Sequence, residues 1–229
     1  MKVSVIIPAH NEEKHIAKTL KAVCALDYPN FEVIVIDNAS TDKTSKIAKT
    51  FPVKVIYEKR KGTLFARERG RLEAEGEIIA GIDADCLPEP DWLKIGISFF
   101  KNPKIVSVSG VVDFWDSPTF VRKFLIFGQK YIIVANNEIM QFLKVGGNLF
   151  GANNFIRASA LEKIGGFDTR ILFHGDDTNT AKRLSKVGKI IFTNKIILKT
   201  SYRRWEDKGF FSTLLIYLFH YFKQISKND

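Results

Sequence analysis

Four short apolar runs constrain the fold of this chain most: VSVIIP (3–8), FEVIVID (31–37), VKVIY (53–57) and EIIAGID (77–83). Each is close to continuously apolar and rich in Val and Ile, the pattern of strands buried on both faces. Stretches 11–25 and 42–50 read as helices between them; in the first, Ile16, Leu20, Val23 and Cys24 fall at helical spacing. This alternation predicts an α/β fold, a mostly parallel sheet with helices on both faces. In such sheets ligands bind beyond the carboxyl ends of the strands. PAHNEE, DNASTD and DADC all stand at such ends.

The chain has 229 residues, 45% of them hydrophobic, enough for one sizeable core. Its net charge of +10 favours anionic partners such as phosphates or an acidic membrane surface. Nucleic acid is not expected, because zinc-finger spacing, an RNA-recognition aromatic motif and a long Lys/Arg block are all missing from the sequence. Cys24 and Cys86 have no metal-site spacing and are expected as buried fillers in a reducing compartment. The opening MKVSVIIP turns polar too early for a signal core, so a cytoplasmic location is expected, peripheral to the membrane if attached at all.

In the second half, KIVSVSGVV (104–112) reads as a strand, and Ser117-Pro118 as a helix cap followed by proline at the first helical position. Phe120, Phe124, Phe127 and Tyr131 lie at helical spacing within 119–143. Helices are expected at 157–164 and 177–187, then two short strands, IIF and KIILK. The tail 209–229 reads as an amphipathic helix. Residues 210–225 would span roughly 24 Å, short of a hydrocarbon core of about 30 Å, so an interfacial or docked helix is expected.

Each motif admits a structural and a chemical reading. Pro8 would stop the strand, Asn11 cap a helix, and Glu12 suit its dipole. Asp37 ends an apolar strand, where it could accept a hydrogen bond from a base or sugar. KRKGTLFARERG (59–70) sets basic residues around Gly62; this is either a solvated charge run or a diphosphate cradle using Lys61, Gly62 and Arg67. Asp83 and Asp85, two residues apart in extended chain, point to one side and repel unless a cation lies between them. Oxygen ligands suit Mg²⁺ or Mn²⁺. Asp176 and Asp177 either open a helix or supply a general base and its positioning partner. Arg203 and Arg204 beside Trp205 form a basic turn, or forks and a wall for a diphosphate ligand. His174 could add a third metal ligand.

Taken in order, PAHNEE, VIDNASTD, ARERG, DAD, GANNFIRASALEKIGGFD, GDDT and RRW resemble the GT-A family of inverting glycosyltransferases, often called family 2. The resemblance covers most of 3–205 and implies a Rossmann-like nucleotide-binding sheet. It implies that Pro8, Ala9, Asn11 and Glu12 hold a nucleotide base with Asp37, and that Arg67 serves the nucleotide site. Asp83, Ala84 and Asp85 match its D-x-D motif, with Mn²⁺ or Mg²⁺ between protein and diphosphate. Gly151 and Asn153 match a segment near donor sugar and acceptor. Asp177 matches the base, and Asp176 stands where the family has glutamate. Arg204-Trp205 end a Q-x-x-R-W motif whose glutamine is Ser201 here, which speaks against a processive polysaccharide synthase. The implied partners are a UDP- or GDP-sugar donor, a glycan or polyprenyl-linked acceptor, and an anionic membrane surface. The expected organisation is a catalytic domain at 1–208, with a nucleotide-sugar half to about 112 and an acceptor half beyond it, followed by the tail helix. The alternative is an inactive nucleotide-sugar-binding or membrane-adaptor module.

Overall fold

The computed structural model describes residues 1–143, 145–171, 175–210, 212–216 and 219. The apolar runs form β1 (Val3–Ala9), β2 (Phe31–Asp37), β3 (Lys54–Tyr57) and β4 (Ile78–Ile82). Three further strands are β5 (Ile105–Phe114), β6 (Asn153–Arg157) and β7 (Lys189–Thr200). Among the described residues they make one sheet of order β3-β2-β1-β4-β6-β5-β7. β6 is antiparallel to both neighbours, and every other pairing is parallel.

Helices cover both faces, as the continuous hydrophobicity of the strands requires. On one face, Val3, Val5 and Ile7 pack with Ile16, Leu20 and Val23 of α1 (Ile16–Cys24), Ala48 of α2 (Thr44–Ala48), and Trp92 and Leu93 of α4 (Trp92–Ser98). On the other, Ile6, Ile34 and Ile36 meet Ala66 of α3 (Thr63–Glu73). Leu161 of α7 (Ala158–Lys163) and Ala181 and Leu184 of α8 (Asp176–Ser185) complete that layer.

Several local expectations are corrected. α1 starts at Ile16 rather than 11, because the preceding backbone is bonded elsewhere: Glu12 N–H donates to Thr44 Oγ1 (2.7 Å) and Glu13 N–H to Asp42 Oδ2 (3.0 Å). Asn11 is therefore not its cap. It sits in the left-handed region (φ 55°), and its Oδ1 accepts Thr41 N–H (2.8 Å). Pro118, not Ser117, occupies the cap position of α5 (Thr119–Phe127), while Ser117 Oγ donates to Phe114 O. The segment expected as strands IIF and KIILK is the single strand β7, with a bulge where its register jumps between Thr193 and Ile197. Gly110 lies opposite, where a Cβ would run into Ile196 O. Cys86 is buried, but Cys24 is exposed and not a core filler.

Segment 119–143 is helical: α5, a π-helical turn at Gly128–Ile133, then α6 (Val134–Phe142). Among the described residues, no helix is long and apolar enough to cross a membrane. Residues 210, 212–216 and 219 are helical after α9 (Arg203–Lys208); the rest of the expected tail helix, and His174, lie outside the described residues.

Candidate functional site

Pro8 near the end of β1 marks where the sheet opens. β2 accompanies β1 as far as Ala9, but β4 pairs with it only through Ile6, so the missing Pro8 N–H breaks no ladder with β4. Beyond this point, loops from β1, β2 and β4 and the start of α3 converge. The 9–13 and 38–44 loops are stitched together: Asn11 N–H donates to Ser40 Oγ (3.1 Å), and Lys43 N–H to Glu13 Oε2 (3.1 Å). Ala39, like Asn11, is left-handed (φ 54°), so strained backbone is concentrated here. Asp37 is buried and its Oδ1 accepts Ser40 N–H (3.0 Å).

The next residue, not singled out from sequence, organises the basic loop. Asn38 Nδ2 donates to Arg60 O (2.6 Å) and Glu58 O (3.2 Å), and its Oδ1 accepts Gly62 N–H (2.8 Å). Gly62 has φ 140°, which favours glycine. Arg60 is spent on Glu58, holding that carboxyl down at about 2, while Lys61 is exposed.

Asp83 and Asp85 follow β4, with Ala84 turned inward and buried, its O accepting Thr19 Oγ1 (2.7 Å). Arg67, only 12% exposed, joins the two acidic pairs. Its Nη1 donates to Asp176 Oδ2 and Asp177 Oδ1, both at 3.1 Å, and its Nη2 lies 3.5 Å from Asp83 Oδ1. Gly151 seals this arrangement. Its N–H donates to Asp177 Oδ2 (2.8 Å), and a Cβ there would overlap the Arg67 guanidinium. Desolvation, then the neighbouring Asp176 charge, push Asp177 up to about 7 against the pull of Arg67. The left-handed Gly175 (φ 84°) starts α8 and sets both aspartates in its first turn.

Asp85 is held differently. Its Oδ1 accepts Thr200 Oγ1 (3.2 Å) and its Oδ2 accepts Arg203 Nε (3.1 Å). Burial first, then Asp83, push its pKa upward, and Arg203 opposes both. Arg203 Nη2 also donates to Glu12 Oε1, tying the first motif to the last. Thr200, at the end of β7, is another member that sequence reasoning missed; no motif marks it.

Two expected members face elsewhere. Asn153 is fully buried, with Nδ2 donating to Val111 O (2.9 Å) and Oδ1 accepting Trp92 Nε1 (3.0 Å), so its amide is committed to the core. Trp205 is buried among rings, stacked on Tyr202 and Phe210 with Phe114 edge-on, rather than forming an open wall. Arg204 is exposed on α9.

Among the described residues, no three His, Cys, Asp or Glu side chains group as a metal cage. The residues nevertheless fit a divalent cation held in part by a ligand. Asp83 and Asp85 offer only oxygen donors, and each is compensated by an arginine in the present arrangement. A Mg²⁺- or Mn²⁺-like ion commonly takes one or two carboxylates and completes its shell with phosphates and water.

A family model described as Glycosyl transferase family 2 matches residues 4–165. The chain is 30% identical to Glycosyltransferase AglE of Haloferax volcanii over 204 residues, covering 85% of this chain and 65% of that protein. It is 34% identical over 140 residues to dolichol-phosphate mannosyltransferase of Pyrococcus furiosus, covering 56% of this chain and 39% of that one. The chain thus spans two thirds or less of these relatives' lengths. Among solved structures, the mannosyltransferase PcManGT of Pyrobaculum calidifontis, in complex with GDP-Man and Mn²⁺, superposes with a TM-score of 0.75 at 25% identity. The match covers 100% of this chain and 65% of that one. Glucosyl-3-phosphoglycerate synthase of Mycobacterium tuberculosis shares the fold (TM-score 0.67, 20% identity, 100% of this chain and 80% of that one).

Proposed function

The chain belongs to glycosyl transferase family 2, and from that premise we propose that it transfers a sugar, with inversion, from a UDP- or GDP-sugar to a hydroxyl or lipid-phosphate acceptor. The observation that carries this is the meeting of two carboxylate pairs, Asp83/Asp85 and Asp176/Asp177, at the carboxyl edge of the sheet around Arg67. Asp83 and Asp85 hold Mn²⁺ or Mg²⁺. When bound, the cation supplies charge stabilisation to the departing diphosphate. Arg203 and the loop carrying Lys61 and Gly62 face the same leaving group. Asp177 accepts the proton of the acceptor hydroxyl. That oxygen bonds to the anomeric carbon from the far face as the carbon–phosphate oxygen bond breaks, releasing the nucleoside diphosphate. A lipid-phosphate acceptor, already ionised, would need Asp177 only for positioning. The similarity to the Pyrococcus dolichol-phosphate mannosyltransferase, and to the Pyrobaculum mannosyltransferase in its complex with GDP-Man, supports this choice of ligands. Residues 1–208 form the catalytic unit in this reading.

The class is tested by thermal shift with UDP-, GDP- and dTDP-sugars, with and without Mn²⁺. One donor at about 100 times its Kd is expected to stabilise the fold by about 2.7 kcal/mol, and only when Mn²⁺ is present. No shift with any donor would overturn the proposal.

The acceptor side of this reading includes an anionic membrane surface. Phe120, Phe124, Phe127, Tyr131, Ile139 and Phe142 form one exposed stripe along α5, the π turn and α6, with Phe120 and Phe142 more than 80% exposed. No acidic residue occurs from 117 to 137, whereas Lys123 and Lys130 do; Arg122 is paired with Asp113. A basic rim on an apolar stripe suits anionic lipid and would repel a second copy of itself. The protein is expected to float with phosphatidylcholine/phosphatidylglycerol vesicles, less with phosphatidylcholine alone, and to be released by high salt. Phe120→Ser with Phe142→Ser should abolish flotation with little change in Tm. Absence of flotation by the unaltered protein would refute the surface.

A further inference from the structure

Asp83 and Asp85 each lie against an arginine, but the two arginines are held differently. Arg67 is 12% exposed, engages three carboxylates and lies against Gly151. It has no room to leave. Arg203 is 38% exposed and begins α9, a helix of six residues. Its guanidinium spans the cleft mouth from Asp85 Oδ2 to Glu12 Oε1, with Nη1 3.2 Å from His15 Nδ1.

This placement conflicts with a bound cation. Thr200 Oγ1 donates to one oxygen of Asp85, and Arg203 Nε takes the other. A divalent ion between Asp83 and Asp85 would share Asp85 with the Arg203 guanidinium and sit beside its positive charge. Arg203 must therefore be drawn off before the cation is held well. Resting on the donor site proposed above, a nucleoside diphosphate is the group able to do this, because its phosphate oxygens accept a guanidinium fork as a carboxylate does. Glu12 would not be stranded by the departure, since His15 Nδ1 lies 3.0 Å from its Oε2.

We propose that Arg203 is a latch that makes cation binding depend on the nucleotide: it closes on Asp85 and Glu12 alone, and moves to the diphosphate when one arrives. By linkage, nucleotide and cation each tighten the other by one common factor, to which release of Arg203 adds beyond what direct ligation of the cation by phosphate supplies.

The test is the Kd of Mn²⁺, followed by the electron paramagnetic resonance of the free ion, with and without GDP or UDP. Unaltered protein is expected to bind Mn²⁺ about tenfold or more tighter with nucleotide. Arg203→Gln is expected to bind Mn²⁺ about tenfold tighter than unaltered protein when nucleotide is absent, and no tighter when it is present, so the coupling factor falls about tenfold. Arg203→Lys keeps the charge but loses the fork that spans both carboxylates, and should give an intermediate factor. It also carries the test should Arg203→Gln fail to fold. If loss of a positive charge were all that mattered, Mn²⁺ affinity would rise equally in both states and the coupling factor would stay put, overturning the latch. Unaltered protein that binds both ligands without coupling would overturn it too. Unaltered protein that binds neither would overturn the donor site itself.

Discussion

Asp177→Asn is expected to lower turnover with a hydroxyl acceptor by about 10²- to 10⁴-fold while changing donor affinity little, because it removes a proton acceptor and preserves shape. Asparagine can still accept Gly151 N–H through its oxygen, so the loop that delivers Gly151 stays in place. What it loses is the ability to become charged and the oxygen that accepts from Arg67 Nη1. Asp177 is poised for that change, held at about 7 by desolvation and Asp176 with Arg67 opposing. The kcat/KM of the unaltered protein should therefore climb with pH and level off above about 7 as Asp177 loses its proton. Stability should run the other way. A folded-state pKa above the ordinary carboxylate value of about 3.9 favours the folded state fully below that pH. The contribution is lost as pH rises through about 7. Turnover by Asp177→Asn within threefold of the unaltered protein would remove Asp177 from the chemistry.

Arg67→Met should produce the second large loss, through position and charge rather than by removing a reacting group. Without the guanidinium, Asp83, Asp176 and Asp177 face one another uncompensated. Breaking a sealed buried pair costs about 3–5 kcal/mol; here about 2 kcal/mol is expected, since these carboxylates retain contact with water and can take up protons. Urea unfolding should show a larger penalty at pH 8 than at pH 5, where protonation relieves the repulsion. Activity at pH 7 should fall by about 10²-fold or more, with the acidic limb of kcat/KM displaced upward because Asp177 has lost its cation. Arg67→Lys should recover part of the limb position. A limb unmoved in Arg67→Met would mean that Arg67 is only a packing residue.

The first half of the fold is legible because β1, β2 and β4, buried on both faces, need near-continuous apolar runs, and the edge strand β3 keeps the pattern although its Lys54 and Tyr57 are exposed. β6 was not legible. NNFIR begins with two asparagines and is only five residues long, yet Asn153 is accommodated in the core by Trp92 and Val111. β7 reads as two pieces because its bulge places exposed Asn194 and Lys195 in mid-strand. At the site, the acidic pairs and Arg203 could be found from charge at strand and helix ends. Asn38, Thr200 and the contact of Arg67 with Asp176 could not, since each depends on partners more than a hundred residues away or on a loop's exact path. Asn153 and Trp205 misled for a related reason: a polar or aromatic residue beside a motif can as readily face the interior.

The reversed direction of β6 also determines which part of the molecule can be exchanged. β5 ends at Phe114 and β6 starts at Asn153, and because they run oppositely both points lie on the same rim of the sheet. The excursion between them leaves and re-enters on that rim, but Gln129, Asn137 and Gln141 within it bond the backbone of β5 and β7, so those positions are fixed while its exposed apolar positions are not. Its exposed apolar side chains could be exchanged for others that address another surface, with Gly151 still delivered to Asp177. The outer face of this excursion can therefore vary while the carboxylate cluster around Arg67 stays as it is.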